Sequence, residues 1–132
     1  MKTALDKLIW SVRALAQPAS LQKKLFPAFV VAADELALEF EENYSPTLSE
    51  FRARWSSIQL SKLEALDQKL ETMSGSEKED LWLSSDCLNH SEWSVVRSLA
   101  KDALLEFGWP SDQPLPSDAI YVPGKKTGLT RR

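Results

Sequence analysis

The stretch Ser91–Pro110, SEWSVVRSLAKDALLEFGWP, constrains this chain most, because a start signal, an apolar stripe and a stop signal agree within it. Ser91 suits an N-cap, since its hydroxyl can accept from N–H groups that a first helical turn leaves unpaired. Glu92 follows in that turn, where the helix dipole favours negative charge. Trp93, Val96, Leu99 or Ala100, Ala103, Leu104 and Phe107 recur at helical spacing and fall on one side. Gly108 can take the left-handed conformation that closes a helix, and Pro110 prevents continuation. Arg97, Lys101 and Asp102 lie off the stripe, which predicts a solvated back. Such a helix must pack against others.

The rest of the chain supplies them. At 132 residues it is one domain, long enough to bury a core without disulfide or metal support. Few glycines and few β-branched runs favour helix. Thr3 and Asp6 form a capping-box-like pair ahead of Leu5, Leu8, Ile9, Val12 and Leu15, and this first helix should end near Gln17-Pro18. Ser20 is expected to cap the next turn, and Pro27 to start or kink a further helix. From Ala28, the residues Phe29, Ala33, Leu36, Phe40 and Tyr44 mark another buried stripe. A break is expected over Asn43–Thr47, with Ser45-Pro46 as a turn and Thr47–Glu50 as the capping box of a new helix. That helix should run, kinked or interrupted near residue 60, through Leu48, Phe51, Trp55, Ile58, Leu63, Leu66, Leu70 and Met73 to Gly75. Ser61–Glu64 and Ser76–Glu79 are further capping boxes, the last opening a short helix with Leu81 and Trp82.

The expected fold is all-α: a single-domain bundle of five or six helices over 1–110. An extended Pro-rich arm and basic tail over 111–132 complete it, with Ala119–Val122 as a short strand or arm and Lys125–Arg132 frayed.

The formal net charge is only −3, yet residues 32–50 carry six acidic residues and no basic one, while residues 1–31 and the last nine are basic. Glu35, Glu39 and Glu42 stack at helical spacing, flanked by Asp34 and Glu41. Like charges so placed repel mildly, by roughly 0.2–0.5 kcal/mol per pair. The basic first helix, the basic tail or a partner must relieve that. A ridge of one sign steers an oppositely charged protein, and Tyr44 and Glu50 would extend it. The candidate partner-binding set is therefore Asp34, Glu35, Glu39, Glu41, Glu42, Tyr44 and Glu50. Nucleic acid is not expected, because phosphate would meet the acidic stripes.

Other chemistry finds little support. Cys87 and His90 sit beside Asp86, but a zinc site takes about four ligands and this chain has one cysteine and one histidine. No metal or cofactor is expected. A Cys–His nucleophile needs a base oriented in a cleft. An active site would have to gather Cys87, His90, Tyr121 and the acidic helix, and no enzyme is expected. Gly124–Gly128 lacks the spacing of a phosphate loop. A lone cysteine permits no internal disulfide and fits a reducing compartment. Asp6, Lys7 and Arg13 interrupt what would be the core of a signal peptide, and no run is long enough to span a membrane, so the cytoplasm is expected.

Trp55, LEALDQKLETMSG (63–75), LW (81–82), SEWSVVRSLA (91–100) and LLEFGWP (104–110) resemble the small acidic helical immunity proteins of bacterial polymorphic toxin systems, over about half the chain. The resemblance implies binding and neutralising a cognate toxin, often a basic nuclease, and transfers no individual contact. The expected function is thus an immunity- or antitoxin-type inhibitor of a basic protein. The alternative is a homo-oligomeric scaffold or regulatory subunit, supported by the five tryptophans, of which Trp82 and Trp109 sit at element edges and would serve a homodimer.

Overall fold

The computed structural model describes residues 2–83 and 86–117. Among them are α1 (Ala4–Leu15), α2 (Ala19–Gln22), α3 (Ala32–Phe51), α4 (Ser57–Thr72) and α5 (Ser91–Phe107), with short 3-10 turns between and no strand. The all-α reading holds. Ala119–Val122 and Lys125–Arg132 lie outside the described residues.

The first helix forms as its ends predict. Thr3 Oγ1 accepts from the Asp6 N–H at 3.1 Å and Asp6 Oδ2 accepts from the Thr3 N–H at 3.0 Å. Leu8, Val12 and Leu15 are buried. The expected second cap is not used: Pro18 takes the cap position of α2, and Ser20 lies inside the turn. The residue that matters there is Gln22, which is fully buried. Its Nε2 donates to the carbonyls of Ala14 and Leu15, both at 3.1 Å. Those are last-turn carbonyls of α1, where intrahelical donors run out; Ala14 also accepts from the Gln17 N–H at 3.2 Å. Gln22 Oε1 in turn accepts from Arg97 Nη1 at 3.3 Å, and Arg97 also donates to the Leu88 carbonyl at 3.0 Å. Arg97 is therefore half-buried and ties α5 to its neighbours, unlike Lys101 and Asp102, which are exposed as expected.

The largest departure is in the middle of the chain. The third helix starts at Ala32 rather than Ala28, leaving Phe29 54% exposed. It then runs through Pro46 to Phe51 without the expected break. The helix packs on α1, and residues on both sides of the proline, Leu36, Ala37 and Phe40 before it and Thr47 after it, are buried, which offsets the local cost of proline. Asn43 Nδ2 donates to the Glu39 carbonyl at 2.8 Å just before the proline. The Thr47–Glu50 capping box is consequently inside a helix and unused. So is Ser61–Glu64. The chain turns instead at Arg52–Ser56, and Ser56 with Gln59 forms the capping box of α4, at 3.1 and 2.9 Å. Ile58, expected in the core, is 56% exposed. Gly75, at φ 120°, ends the excursion after α4, and Ser76–Leu81 forms a 3-10 turn without a side-chain cap.

Thr47 follows Pro46 inside α3. Its side chain is buried, and among the described residues no hydrogen bond reaches Oγ1. Burying a hydroxyl unsatisfied is unfavourable, so Thr47→Val, which keeps the shape, should stabilise the fold by about 1 kcal/mol. An increase in the urea midpoint at unchanged slope would show it.

The fifth helix sits between α1 and α4 and packs on both. Trp93, Val96, Ala100, Ala103 and Leu104 are buried, while Leu99 and Phe107 are half-buried. Its cap is His90 rather than Ser91: His90 Nδ1 accepts from the Glu92 N–H at 3.1 Å. Gly108 closes it at φ 69°, with the Trp109 N–H on the Leu104 carbonyl at 3.0 Å and the Gly108 N–H on Leu105 at 3.2 Å. This pair of bonds satisfies two terminal carbonyls.

The α4–α5 pair is antiparallel. Lys69 meets Glu92 at 2.8 Å near one end, and the rings of Trp55 and Phe107 lie 4.8 Å apart at the other. The Lys69 ammonium, by hydrogen bond and by charge, holds the Glu92 carboxyl below its usual value. A carboxylate with a depressed folded-state pKa stabilises above its unfolded value, and loses that contribution as pH falls through the folded one. The Tm gap between the native chain and Glu92→Gln should therefore be widest near neutrality and close on acidification from about pH 7 to about pH 3.

The arm is strapped across α1. Trp10 Nε1 donates to the Leu115 carbonyl at 2.8 Å, and Gln17 Nε2 to Ser111 at 3.3 Å. Between them Arg13 reaches the Asp112 carbonyl at 3.1 Å and its carboxylate at 3.2 Å. Pro114 is buried, and the Ser117 N–H donates to the Leu25 carbonyl at 2.8 Å.

Candidate partner-binding surface

The seven residues expected to form one surface divide into three groups. Asp34 and Glu35, each 3% exposed, are buried in the first turn of α3 and are not on the surface. This turn lies at a corner where the Pro27–Val31 approach meets the Cys87–Leu88 turn around a 380 Å³ hollow. The positive end of the helix dipole makes it a tolerable place for acids. The ridge expected from Glu35, Glu39 and Glu42 therefore loses its first member. At roughly 100° per residue, Glu39, Glu42 and Glu50 lie on the outward side of α3, with Glu42 and Glu50 exposed and Glu39 half-buried. Glu41 and Tyr44 fall on the other flank of the buried stripe, both half-buried.

That second flank faces a cleft. The third helix packs on α1 and the fourth on α5, and α3 and α4 make little contact with each other. Past Tyr44 they enclose a cleft of about 390 Å³, lined on one side by Tyr44, Leu48 and Arg52 and on the other by Leu60, Ser61 and Glu64. The Tyr44 ring stacks on Phe40, centroids 5.1 Å apart and planes 21° from parallel. One face of Tyr44 is thus covered by a buried core ring, which fixes its orientation.

No protein-family model, curated protein or solved structure matches this chain.

The remaining candidate groups have local roles. Cys87 is buried, and burial pushes its thiol pKa up, away from the reactive thiolate. His90 caps α5 through Nδ1. Among the described residues no group of three or more His, Cys, Asp or Glu side chains could hold a metal ion. Tyr121 and Gly124–Gly128 lie outside the described residues. Arg13, one of the basic residues that could have answered the acidic helix, binds the arm instead. No described helix is long and apolar enough to cross a membrane.

The tryptophans are all accounted for inside the fold or at its edge. Trp82 and Trp93 are fully buried, so Trp82 cannot serve a homodimer. Trp55 and Trp109 are half-buried and cluster with Phe107, which stacks on Trp109 at 4.1 Å. Trp10 is likewise half-buried and supports the arm.

Leu48, Arg52, Leu60 and Glu64 were not foreseen in a site. Their signal was present: Glu41, Tyr44, Leu48 and Arg52 are spaced by three, four and four, a single helical stripe. It is legible only when Pro46 is allowed inside the helix.

Proposed function

We propose that the chain is a protein-binding module that occludes a basic partner, in the manner of an immunity or antitoxin protein, and that it works in the cytoplasm without catalysis of its own. One observation carries this reading. Along α3 every charged residue is acidic, and after Asp34 and Glu35 are buried the helix still presents Glu39, Glu42 and Glu50 on its outward side and half-buried Glu41 beside Tyr44 on the other flank. Such a surface attracts a cationic protein and raises its association rate. An aromatic held rigid by stacking on Phe40 is a good anchor, because little side-chain freedom is lost on binding. The loose likeness to immunity proteins points the same way.

The test is capture from the source cell with the native chain, followed by assay of the captured protein's activity with and without it. The native chain should retrieve a basic protein and suppress its activity. Charge reversal at Glu39, Glu42 and Glu50 together should slow association at low salt, with the effect fading as salt rises. Unchanged association at low salt would remove the outward face from the interface.

A further inference from the structure

A hollow of about 530 Å³ lies where α1 and α5 both end, and no residue of α3 lines it. It is thus separate from the acidic surface. Pro18, Leu104, Leu105 and Trp109 give it apolar walls. Leu105 is 81% exposed, and the Trp109 ring is held in place by Phe107, stacked on it at 4.1 Å. Two polar side chains also line the hollow. Among the described residues Lys101 is the only charged one in the lining, and it makes no ion pair or hydrogen bond with any of them. Gln17 is 6% exposed. Its Nε2 is committed to the Arg13 and Ser111 carbonyls at 3.0 and 3.3 Å, which fixes the amide. Its Oε1 accepts no hydrogen bond among the described residues, yet keeps contact with solvent. The nearby helix-end carbonyls are already occupied: Leu104 accepts from the Trp109 N–H and Leu105 from the Gly108 N–H. An anion would therefore not face bare carbonyls there.

We infer that this hollow captures the carboxyl-terminal residue of a partner polypeptide, where that residue is apolar. The side chain packs on Pro18, Leu104, Leu105 and Trp109, the terminal carboxylate meets Lys101, and the amide N–H donates to Gln17 Oε1. Three features of the hollow select this occupant together. A cation without a counter-charge attracts an anion, and the pair forms a charge-assisted hydrogen bond. A fixed acceptor that the protein's own groups leave unmet favours a ligand with an N–H. The apolar walls favour a branched or aromatic side chain. A fatty acid would supply the carboxylate and no donor. An internal apolar residue would supply the donor and no charge. A terminal residue has all three within one unit, and capture of a chain end by its carboxylate is a general mode of peptide recognition. Lys101, Leu105, Gly108 and Ser111 are exposed, so the preceding residues of the partner can run out to solvent. The inference goes beyond the inhibitor reading and does not depend on the α3 surface.

The probe is the peptide acetyl-Gly-Ser-Gly-Leu with a free carboxyl end, titrated into the ¹⁵N-labelled chain. The same peptide ending in a carboxamide lacks the charge. N-acetylleucine keeps the charge, the side chain and the N–H without the preceding residues, and isocaproate removes the N–H as well. The free-acid peptide should give saturable shifts confined to Gln17, Lys101, Leu105, Gly108 and Trp109. The carboxamide should bind about tenfold more weakly than the free acid, and isocaproate about tenfold more weakly than N-acetylleucine. Lys101→Met, at an exposed position, should weaken the free acid about tenfold and leave the carboxamide unchanged. Equal affinity of acid and carboxamide, equal loss of both on Lys101→Met, or shifts scattered over the surface would overturn the proposal. So would isocaproate binding as tightly as N-acetylleucine, since Gln17 would then take no part. Binding of N-acetylleucine without binding of the peptide would overturn a polypeptide end as the occupant.

Discussion

Replacing Trp93 with alanine should cost about 4 kcal/mol, among the largest losses any single change in this fold can cause. The indole is fully buried, meets Trp82 edge-on at 5.2 Å, and donates through Nε1 to the Leu81 carbonyl at 2.9 Å. Trp82 makes the parallel contact, donating to the Met73 carbonyl at 2.7 Å. Together the two rings fasten the irregular stretch from Met73 to Leu81 onto α5. Alanine removes the ring, opens a cavity and leaves a buried carbonyl without its donor. Phenylalanine separates these effects. It fills most of the space but cannot donate, so Trp93→Phe should cost about 1–2 kcal/mol, mostly the unmet carbonyl. Urea unfolding of both variants checks this. Equal losses would mean that the hydrogen bond, and not the packing, dominates.

Gln22→Leu should cost about 2–3 kcal/mol although the volume barely changes. The amide is the only group among the described residues seen to donate from a side chain to both the Ala14 and Leu15 carbonyls, at 3.1 Å each, and it accepts from Arg97 at 3.3 Å. Leucine leaves the Leu15 carbonyl without that donor, weakens the bonding of the Ala14 carbonyl, which keeps the Gln17 N–H at 3.2 Å, and takes one acceptor from a half-buried guanidinium. Burial already lowers the pKa of Arg97, a sign that its charge sits in a poor solvent. Thermal unfolding of Gln22→Leu against the native chain is the measurement. A loss under about 0.5 kcal/mol would mean that water can enter and replace the amide.

The two ends of the fold were readable in the sequence because their signals are local. Thr3 with Asp6, and Gly108 before Pro110, need only their immediate neighbours to act. The middle was not readable for the same reason. Thr47–Glu50, Ser56–Gln59 and Ser61–Glu64 all satisfy the capping-box pattern, and of these three only Ser56–Gln59 is used as one. The helix α3 continues past Pro46 to Phe51, which places the first of these inside it and leaves the turn at Arg52–Ser56 to start α4. The acidic residues were legible as a helical pattern but not as a surface. Asp34 and Glu35 carry no mark distinguishing them from Glu39 and Glu42. Their burial is set by tertiary packing, which the helical spacing of the acids does not encode.

The strap over α1 also sets an order of events during synthesis. Its hydrogen bonds join positions 92 to 105 residues apart. At about 5–20 residues per second on the ribosome, α1 would wait on the order of 5–20 s for the segment that covers Trp10 and Arg13. Over that interval a nascent chain exposes an indole and the seat of Pro114, which is surface that chaperones or proteases can reach. Pauses in translation after position 110 should therefore lower the yield of folded protein more than pauses in the loop at residues 52–56.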